Sequence, residues 1–431
     1  MKGNGEIIQL RDACSKIGSG STPRGGKEAY KGGATSLIRS QNIYNDGFHR
    51  DGLVYISDEQ SAELRNVEVE PKDVLLNITG DSVARCCQVA ADILPARVTQ
   101  HVAIIRPDPR ILNADFLRYV LVSHEYQQRL LALASAGATR PALTKSMIEE
   151  LDIPSPPLSQ QKRIAYILGT LDDKIELNRQ MNATLGSMAR VLFQSWFVDF
   201  DPVRRNSDGE AQRPEDSLFP DSFEDSLLGS IPNGWRVKQL SELCTLGRGA
   251  SPRPINDYMD GEVPWIKIAD ATAAAGPFLF ETKERVKKLG AAKSVPVAPG
   301  DLILSNSATC GVPIFVEFHG CIHDGWLYFK DLHSISKLYL FHVLIELADH
   351  LINIADGSVQ KNLNTNLVGQ QNVLVPPREV LDAFELHASG WFSKIRANSL
   401  ESRTLANLRD TLLPKLLSGE QTALPAFDPK P

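Results

Sequence analysis

The chain has 431 residues, enough for two or three domains, and its 42% hydrophobic and 23% charged content is that of an ordinary globular protein. The run nearest to a membrane span, Leu338 to Ala355, is interrupted by His342, Glu346, Asp349 and His350, and no basic-then-apolar leader opens the chain, so cytosolic residence is the expectation. The net charge of −6 is not the basic balance usual for nucleic-acid binding, although a whole-chain average can hide a basic cleft beside an acidic connector.

In chain order, residues 1–157 hold short β-type runs, "DVLLNIT", "VAIIRP" and "ELDIPSP", between turns rich in Gly, Pro and Asn, with a helix around Ala114 to Ala134. Residues 158–203 follow as a helical segment. Ile164, Leu171, Leu185 and Leu192 lie on a seven-residue grid with Asn178 at the missing position, and Leu168 and Ile175 extend a second row. Asn178 and Asn182 stand near that seam, where a polar residue costs stability and can fix register. Some 40 residues of helix would span roughly 60 Å, more than the about 34 Å of one turn of B-DNA. Residues 204–233 are rich in Asp, Glu, Ser and Pro and read as an acidic connector. Residues 234–376 form a second globular region. Residues 377–418 form a second long helix with Leu381, Phe384, Phe392, Ile395, Leu405, Leu408, Leu412 and Leu416 at helical spacing, and 419–431 are a tail. The two helices either pair antiparallel or pack separately on their own domains.

The two globular regions repeat each other with a period of about 220–230 residues. "GEIIQLRDAC" matches "GWRVKQLSELC", and "GSGSTPR" (Gly18 to Arg24) matches "GRGASPR" (Gly247 to Arg253). "SLIRSQNI" matches "PWIKIADA", and "VEPKDVLLNITG" matches "VAPGDLILSNSA". "AGATRPALTKSMIEELDIPSPP" matches "DGSVQKNLNTNLVGQQNVLVPP". The skeleton is shared and the polar detail differs, which suits one scaffold used to recognise two things.

Enzyme signatures fail in turn. A Walker loop needs GxxxxGK and a hydroxyl residue. Gly20 and Gly25 have the spacing, but Gly26 replaces the lysine, Lys27 comes one position late, and the second copy has no lysine. A turn offering N–H groups, a hydroxyl and an arginine suits phosphate-backbone contact instead. Asp221, Glu281 and Lys283 spell a nuclease-like pattern, but Asp221 falls in the acidic connector. His319, Cys321 and His323 would need a fourth ligand to hold zinc and read better as an alternating strand. Asp199 and Asp201 read as a solvated helix end. The six cysteines show no CxxC and suit reduced, buried thiols. No catalytic residue and no metal ligand is assigned.

The segment "PLSQQKRIAYILGTLDDKIELNRQMNATLGSMARVLFQSWFVDFDPV" closely resembles the central region of type I restriction-modification specificity subunits. "GSIPNGWRVKQLSEL" and "DGSVQKNLN" followed by "VLVPP" are similar to elements of the same family, and the likeness covers essentially the whole chain. The first copy departs from it with "AGATRPALT", and the second helix lacks the "LDDKIELN" run. The resemblance implies an α+β protein with two pseudo-repeated globular α/β target recognition domains separated by two long antiparallel coiled-coil helices. Each domain would read half of a split double-stranded DNA target. The helices would dock two methyltransferase subunits, with restriction and translocase subunits joining them. S-adenosylmethionine, ATP and Mg2+ would belong to those partners, this chain holding no cofactor, and the target adenine would flip into the partner's pocket.

Base discrimination needs bidentate Arg, Lys, Asn and Gln side chains on loops at a groove. The candidates are Arg39, Gln41, Asn42, Asn77, Arg85, Arg140 and Lys145 in the first copy. In the second they are Lys267, Asp270, Asn306, Gln360, Lys361, Asn362 and Asn364. Arg24 and Arg253 are assigned to phosphate. Each has an ordinary surface role as its alternative. Leu171, Asp173, Lys174, Leu177 and Asn178 are the partner-contact candidates, with intramolecular pairing as theirs. Two other functions stay open at this point: a metal-dependent nuclease using Asp221, Glu281 and Lys283, and a coiled-coil adaptor without DNA contact.

Overall fold

A computed structural model describes residues 7–25, 30, 32–89, 91–136, 141–211, 213–274, 276–307, 309–355 and 362–418. The chain divides into two compact units, residues 1–178 with 400–431, and residues 179–399.

The first unit is built on two four-stranded sheets. The first runs Cys14–Ser19, Val102–Pro107, Val74–Asn77, Cys86–Gln88, all antiparallel. The second runs Val54–Ile56, Thr35–Ile38, Ala96–Val98, Glu68–Val69, with a parallel central pair between antiparallel edges. "VLLN" shows no alternation because the first sheet is covered on both faces. Val74, Leu76, Ala103 and Ile105 pack with Phe116, Leu117 and Val120 of the helix Ala114–Val122. Leu75, Val102 and Ile104 pack with Leu37, Ile38, Ala96 and Val98 of the second sheet. Ile7–Gln9 pairs with Asp152–Pro154 to close the domain.

The second unit repeats this plan strand for strand. Its larger sheet runs Thr245–Arg248, Trp326–Lys330, Leu302–Ser305, Pro313–Val316, with Phe278–Leu279 added at the edge. Its other sheet runs Arg285–Val286, Met259–Ile266, Gly320–Ile322, Val295–Val297, again with a parallel central pair. Arg236–Gln239 and Asn372–Val375 make the closing pair. Residues 204–233 carry structure of their own: a 3-10 turn Pro214–Leu218 and a hairpin of Phe223–Ser226 with Gly229–Pro232. Phe219 and Ile231 enter the core there, and the buried Asp216 carboxylate accepts from Arg205 at 2.6 Å.

Each double proline ends a domain, and a long helix starts after it: a central helix, Leu158–Phe197, and a distal helix, Arg378–Leu417. Each gives one stretch to each unit. Within both units the two stretches pair antiparallel, one of the two arrangements that the apolar stripes allowed. In the first unit Asp172 meets Arg409, and the fully buried Asn178 donates to Glu401 at 2.9 Å and Ser402 at 3.3 Å. In the second, Asn182 donates to Ser399 at 3.2 Å and accepts from Asn398 at 2.9 Å. The seam asparagines are therefore satisfied across the pair, which offsets the cost of burying an amide. Leu408 lies outside the seam, 45% exposed.

All six thiols are free, five of them buried, and burial pushes Cys14 up to about 12 and Cys244 up to about 11. His342 sits in the second unit's core, stacked on Phe193 at 5.2 Å, and burial, aided by the Arg190 charge, lowers it to about 4. A folded pKa below the unfolded one makes stability fall as pH drops from about 6.5 to about 4, because only the unfolded chain takes the proton there. The loss reaches about 3 kcal/mol. Melting followed between pH 7 and pH 4 should show it, and His342→Leu should flatten that dependence.

Candidate nucleic-acid interface

The matched "GSG" and "GRG" turns leave the strands Cys14–Ser19 and Thr245–Arg248 at the same place in both copies. Gly20 N–H donates to the Val102 carbonyl and Gly249 N–H to that of Trp326, each at 2.8 Å. Ser21 then donates to Val98 and Ala250 to Ile322, at 3.0 and 3.2 Å. A β-carbon on Gly20 would lie 2.2 Å from the Val98 oxygen, and one on Gly249 2.2 Å from the His323 oxygen. Glycine is required because two backbones touch, not because a nucleotide phosphate is cradled. The arginines that follow are both exposed, and they differ in company. Arg24 stands at the tip of its turn, whereas Arg253 lies 3.7 Å from the Asp324 carboxylate.

The next segments converge on the same edge. Asn42 and Asp270, at equivalent positions, turn back onto their own chain. Asn42 Oδ1 accepts from Arg39 N–H at 3.1 Å and Asp270 Oδ2 from Lys267 N–H at 2.8 Å. Asn42 also donates to His49 and Asp51. Asn77 donates to the Ser40 carbonyl at 2.8 Å and Asn306 to that of Asp324 at 3.1 Å. All four are buried, so they hold loops in place instead of reaching out from them. Asn364 accepts from Leu367 N–H at 2.8 Å as a helix cap, the place Thr144 fills in the first copy.

The other candidate side chains reach solvent in whole or in part. Arg39 and the exposed Gln41 both donate to the Gly52 carbonyl, and Arg39 lies over Tyr30 at 5.7 Å. Arg85 stacks on Tyr44 at 4.6 Å. Lys267 pairs with Glu284 at 2.6 Å and lies over Trp265 at 5.2 Å. Lys145 is exposed and pairs with Glu149 one helical turn on. Asn362 is exposed at the bridge to Ser307, the counterpart of the bridge between Thr79 and Ala142. Arg140, Gln360 and Lys361 lie outside the described residues.

Sequence reading gave no DNA role to the turn between the two sheets, residues 99–101 and 323–325; His323, read there as part of an alternating strand, lies just past the strand Gly320–Ile322. His101 Nδ1 lies 2.6 Å from Thr79 Oγ1. Asp324 accepts from Ser251 Oγ at 2.5 Å and, through its carbonyl, from Arg248 Nε at 2.6 Å. Burial opposes ionisation of Asp324, and the Ser251 hydroxyl with nearby cations outweighs it, leaving that carboxyl below its usual range. The only available signal was negative: these positions match in neither copy.

On the central helix, Asp172 rather than its neighbour Asp173 carries the strongest contacts. Asp172 takes hydrogen bonds from Arg118, from Tyr119 Oη at 2.6 Å and from Arg409 Nη1 at 2.7 Å. They border a cavity of about 840 Å³ within the first unit. Lys174 pairs with Glu401 at 3.2 Å and donates to Asn178 at 3.1 Å, so both work inside the helix pair. Leu171 is half-buried, while Asp173 and Leu177 are exposed, Leu177 by 52%.

Among the described residues no group of three or more His, Cys, Asp or Glu could hold a metal ion. Asp221 is an exposed residue beside the 223–232 hairpin, and Cys321 is buried in its strand, its thiol directed at the Pro264 carbonyl. No described helix is long and apolar enough to cross a membrane.

A duplicated α+β domain with a loop-built edge and a paired-helix connection defines a modular recognition protein. The type I restriction modification DNA specificity domain matches residues 3–186 and 232–382, and the chain belongs to that family. It is 29% identical over 374 residues to the type I restriction enzyme HindI specificity subunit of Haemophilus influenzae, covering 74% of this chain and 79% of that one. It is 24% identical to the MjaIX specificity subunit of Methanocaldococcus jannaschii, over 96% and 93%. The crystal structure of the type I restriction-modification S subunit from M. genitalium matches with a TM-score of 0.57 at 16% identity, over 96% of this chain and 97% of that one, and so shares the fold.

Proposed function

We propose that this chain is the DNA specificity subunit of a type I restriction-modification complex, each globular copy reading one half of a bipartite duplex target. The observation that carries the reading is the duplicated loop edge: the same main-chain hydrogen bonds, different side chains. Arg24, Arg39, Gln41, Arg85 and Lys145 in the first copy, and Arg253, Lys267 and Asn362 in the second, are the exposed or half-buried residues offered to DNA. Asn42, Asn77, Asp270, Asn306 and Asn364 shape the loops that present them. Arg140, Gln360 and Lys361 stay in the proposal on sequence grounds.

The chain supplies recognition and no catalysis. Two methyltransferase subunits would dock on the helices, with Asp173 and Leu177 as exposed contacts. Restriction subunits would join through them, and S-adenosylmethionine, ATP and Mg2+ would be the partners' cofactors in a cytoplasmic complex. Co-expression with the methyltransferase subunits should give adenine methylation at one bipartite sequence. Exchange of residues 1–157 for those of another family member should change one half only. An unchanged motif, or a change in both halves, would defeat the modular reading.

A further inference from the structure

We propose that the turn ahead of the strand Val102–Pro107 in the first copy, and ahead of Trp326–Lys330 in the second, sets base choice, and that Gln100 is the reading side chain of the first. The inference rests on the DNA-recognition reading above and names a residue within that site. The two copies share the main-chain hydrogen bonds that hold the turn, and the second adds side-chain bonds from Asn306 and Arg248 to the Asp324 carbonyl. Thr99 N–H donates to Ile38 at 3.0 Å and His323 N–H to Ile266 at 3.2 Å. The His101 carbonyl accepts from Ile78 at 3.0 Å and that of Gly325 from Asn306 at 2.9 Å. Gly20 and Gly249 press on the turn from the other side. A backbone fixed on three sides positions its side chains without further ordering cost, as a reading element requires.

The side chains on that frame differ at every position: Thr99, Gln100 and His101 against His323, Asp324 and Gly325. Identical scaffolding with fully divergent tips is what two half-sites of different sequence demand. His101 is tied to Thr79 and Asp324 to Ser251. Gln100 is exposed and hydrogen-bonds to none of the described residues. Its primary amide offers one donor and one acceptor in a plane, the pair that matches N7 and N6 of adenine in the major groove.

The test uses the full chain with its methyltransferase subunits in a host without other adenine methylation, with every methylated site mapped. The wild type gives one bipartite motif. Gln100→Ala should relax one position in one half, with discrimination against wrong bases falling about tenfold, and should leave the other half and the melting temperature unchanged. Gln100→Glu should move preference at that position toward cytosine, whose amino group a carboxylate accepts. An unchanged motif in both variants, or loss of all methylation by folded protein, overturns the assignment. If the wild type methylates no bipartite sequence, the underlying function fails, and Gln100 falls with it.

Discussion

Asp172→Ala should destabilise the first unit by about 3 kcal/mol, while Asp173→Ala one residue on should cost less than about 0.5 kcal/mol. Asp172 is about one-fifth exposed and is met by Arg118 from the domain and Arg409 from the distal helix. Burial alone would raise its pKa. The Arg118 charge and the hydrogen bonds from Tyr119, Arg409 and Arg118 outweigh that, and the carboxyl titrates below its ordinary range. Removing it leaves the largely buried Arg118 guanidinium without its carboxylate and Arg409 with Asp410 alone, the costly way to break a buried ion pair. A depressed carboxyl pKa means the contribution is complete above about pH 4 and lost as pH falls through the folded value. Hydrogen exchange along 114–122 and 400–417 should accelerate in the variant. Equal melting of the Asp172 and Asp173 variants would show that the clamp contributes nothing.

Gly20→Ala should cost about 1–3 kcal/mol and reduce methylation about tenfold or more, with Gly18→Ala as its harmless neighbour. At Gly18 a β-carbon would meet nothing within 4 Å, whereas at Gly20 it would meet the Val98 and Thr99 carbonyls at 2.2 and 2.4 Å. Those carbonyls belong to the backbone around the turn that carries Gln100, so they can yield only if that turn moves. Methylation assays on the two variants at matched temperature separate a displaced turn from a general loss of fold. Equal activity of both would remove the glycine contact from the recognition argument.

The duplication made most of the fold legible. Five matched blocks marked out the two copies and took in strands such as Thr35–Ile38 and Val74–Asn77, while Val54–Ile56, Cys86–Gln88 and Ala96–Val98 fall between them. Two apolar stripes made helix pairing one of two arrangements, and Asn178 in the seam was visible as a gap in a heptad. Individual site residues were less legible. Asn42 and Asp270 are the right chemistry for reading bases, and the same chemistry caps a turn; only burial distinguishes the two uses. Asp172 and Asp173 are identical letters side by side, and the helix's 100° step puts one against arginines and the other in solvent. Gln100 was missed because a search for repeats rewards agreement, and the tip differs wherever the frame agrees.

The division of the long helices has a consequence for biosynthesis. The first unit takes in residues 400–417, where Leu413 and Leu416 join the core that Ile164 and Leu168 help to build. On the ribosome its sheets emerge first, yet the helical stretch that joins their core emerges only after the whole second unit. At roughly 5–20 residues per second, the apolar side of the 158–178 stretch waits on the order of tens of seconds for its partner. The second unit, assembled from residues 179–399, has its full complement sooner. The domain begun first is thus finished last, and a chain stopped near residue 399 would leave an open core, a natural mark for chaperones and proteases.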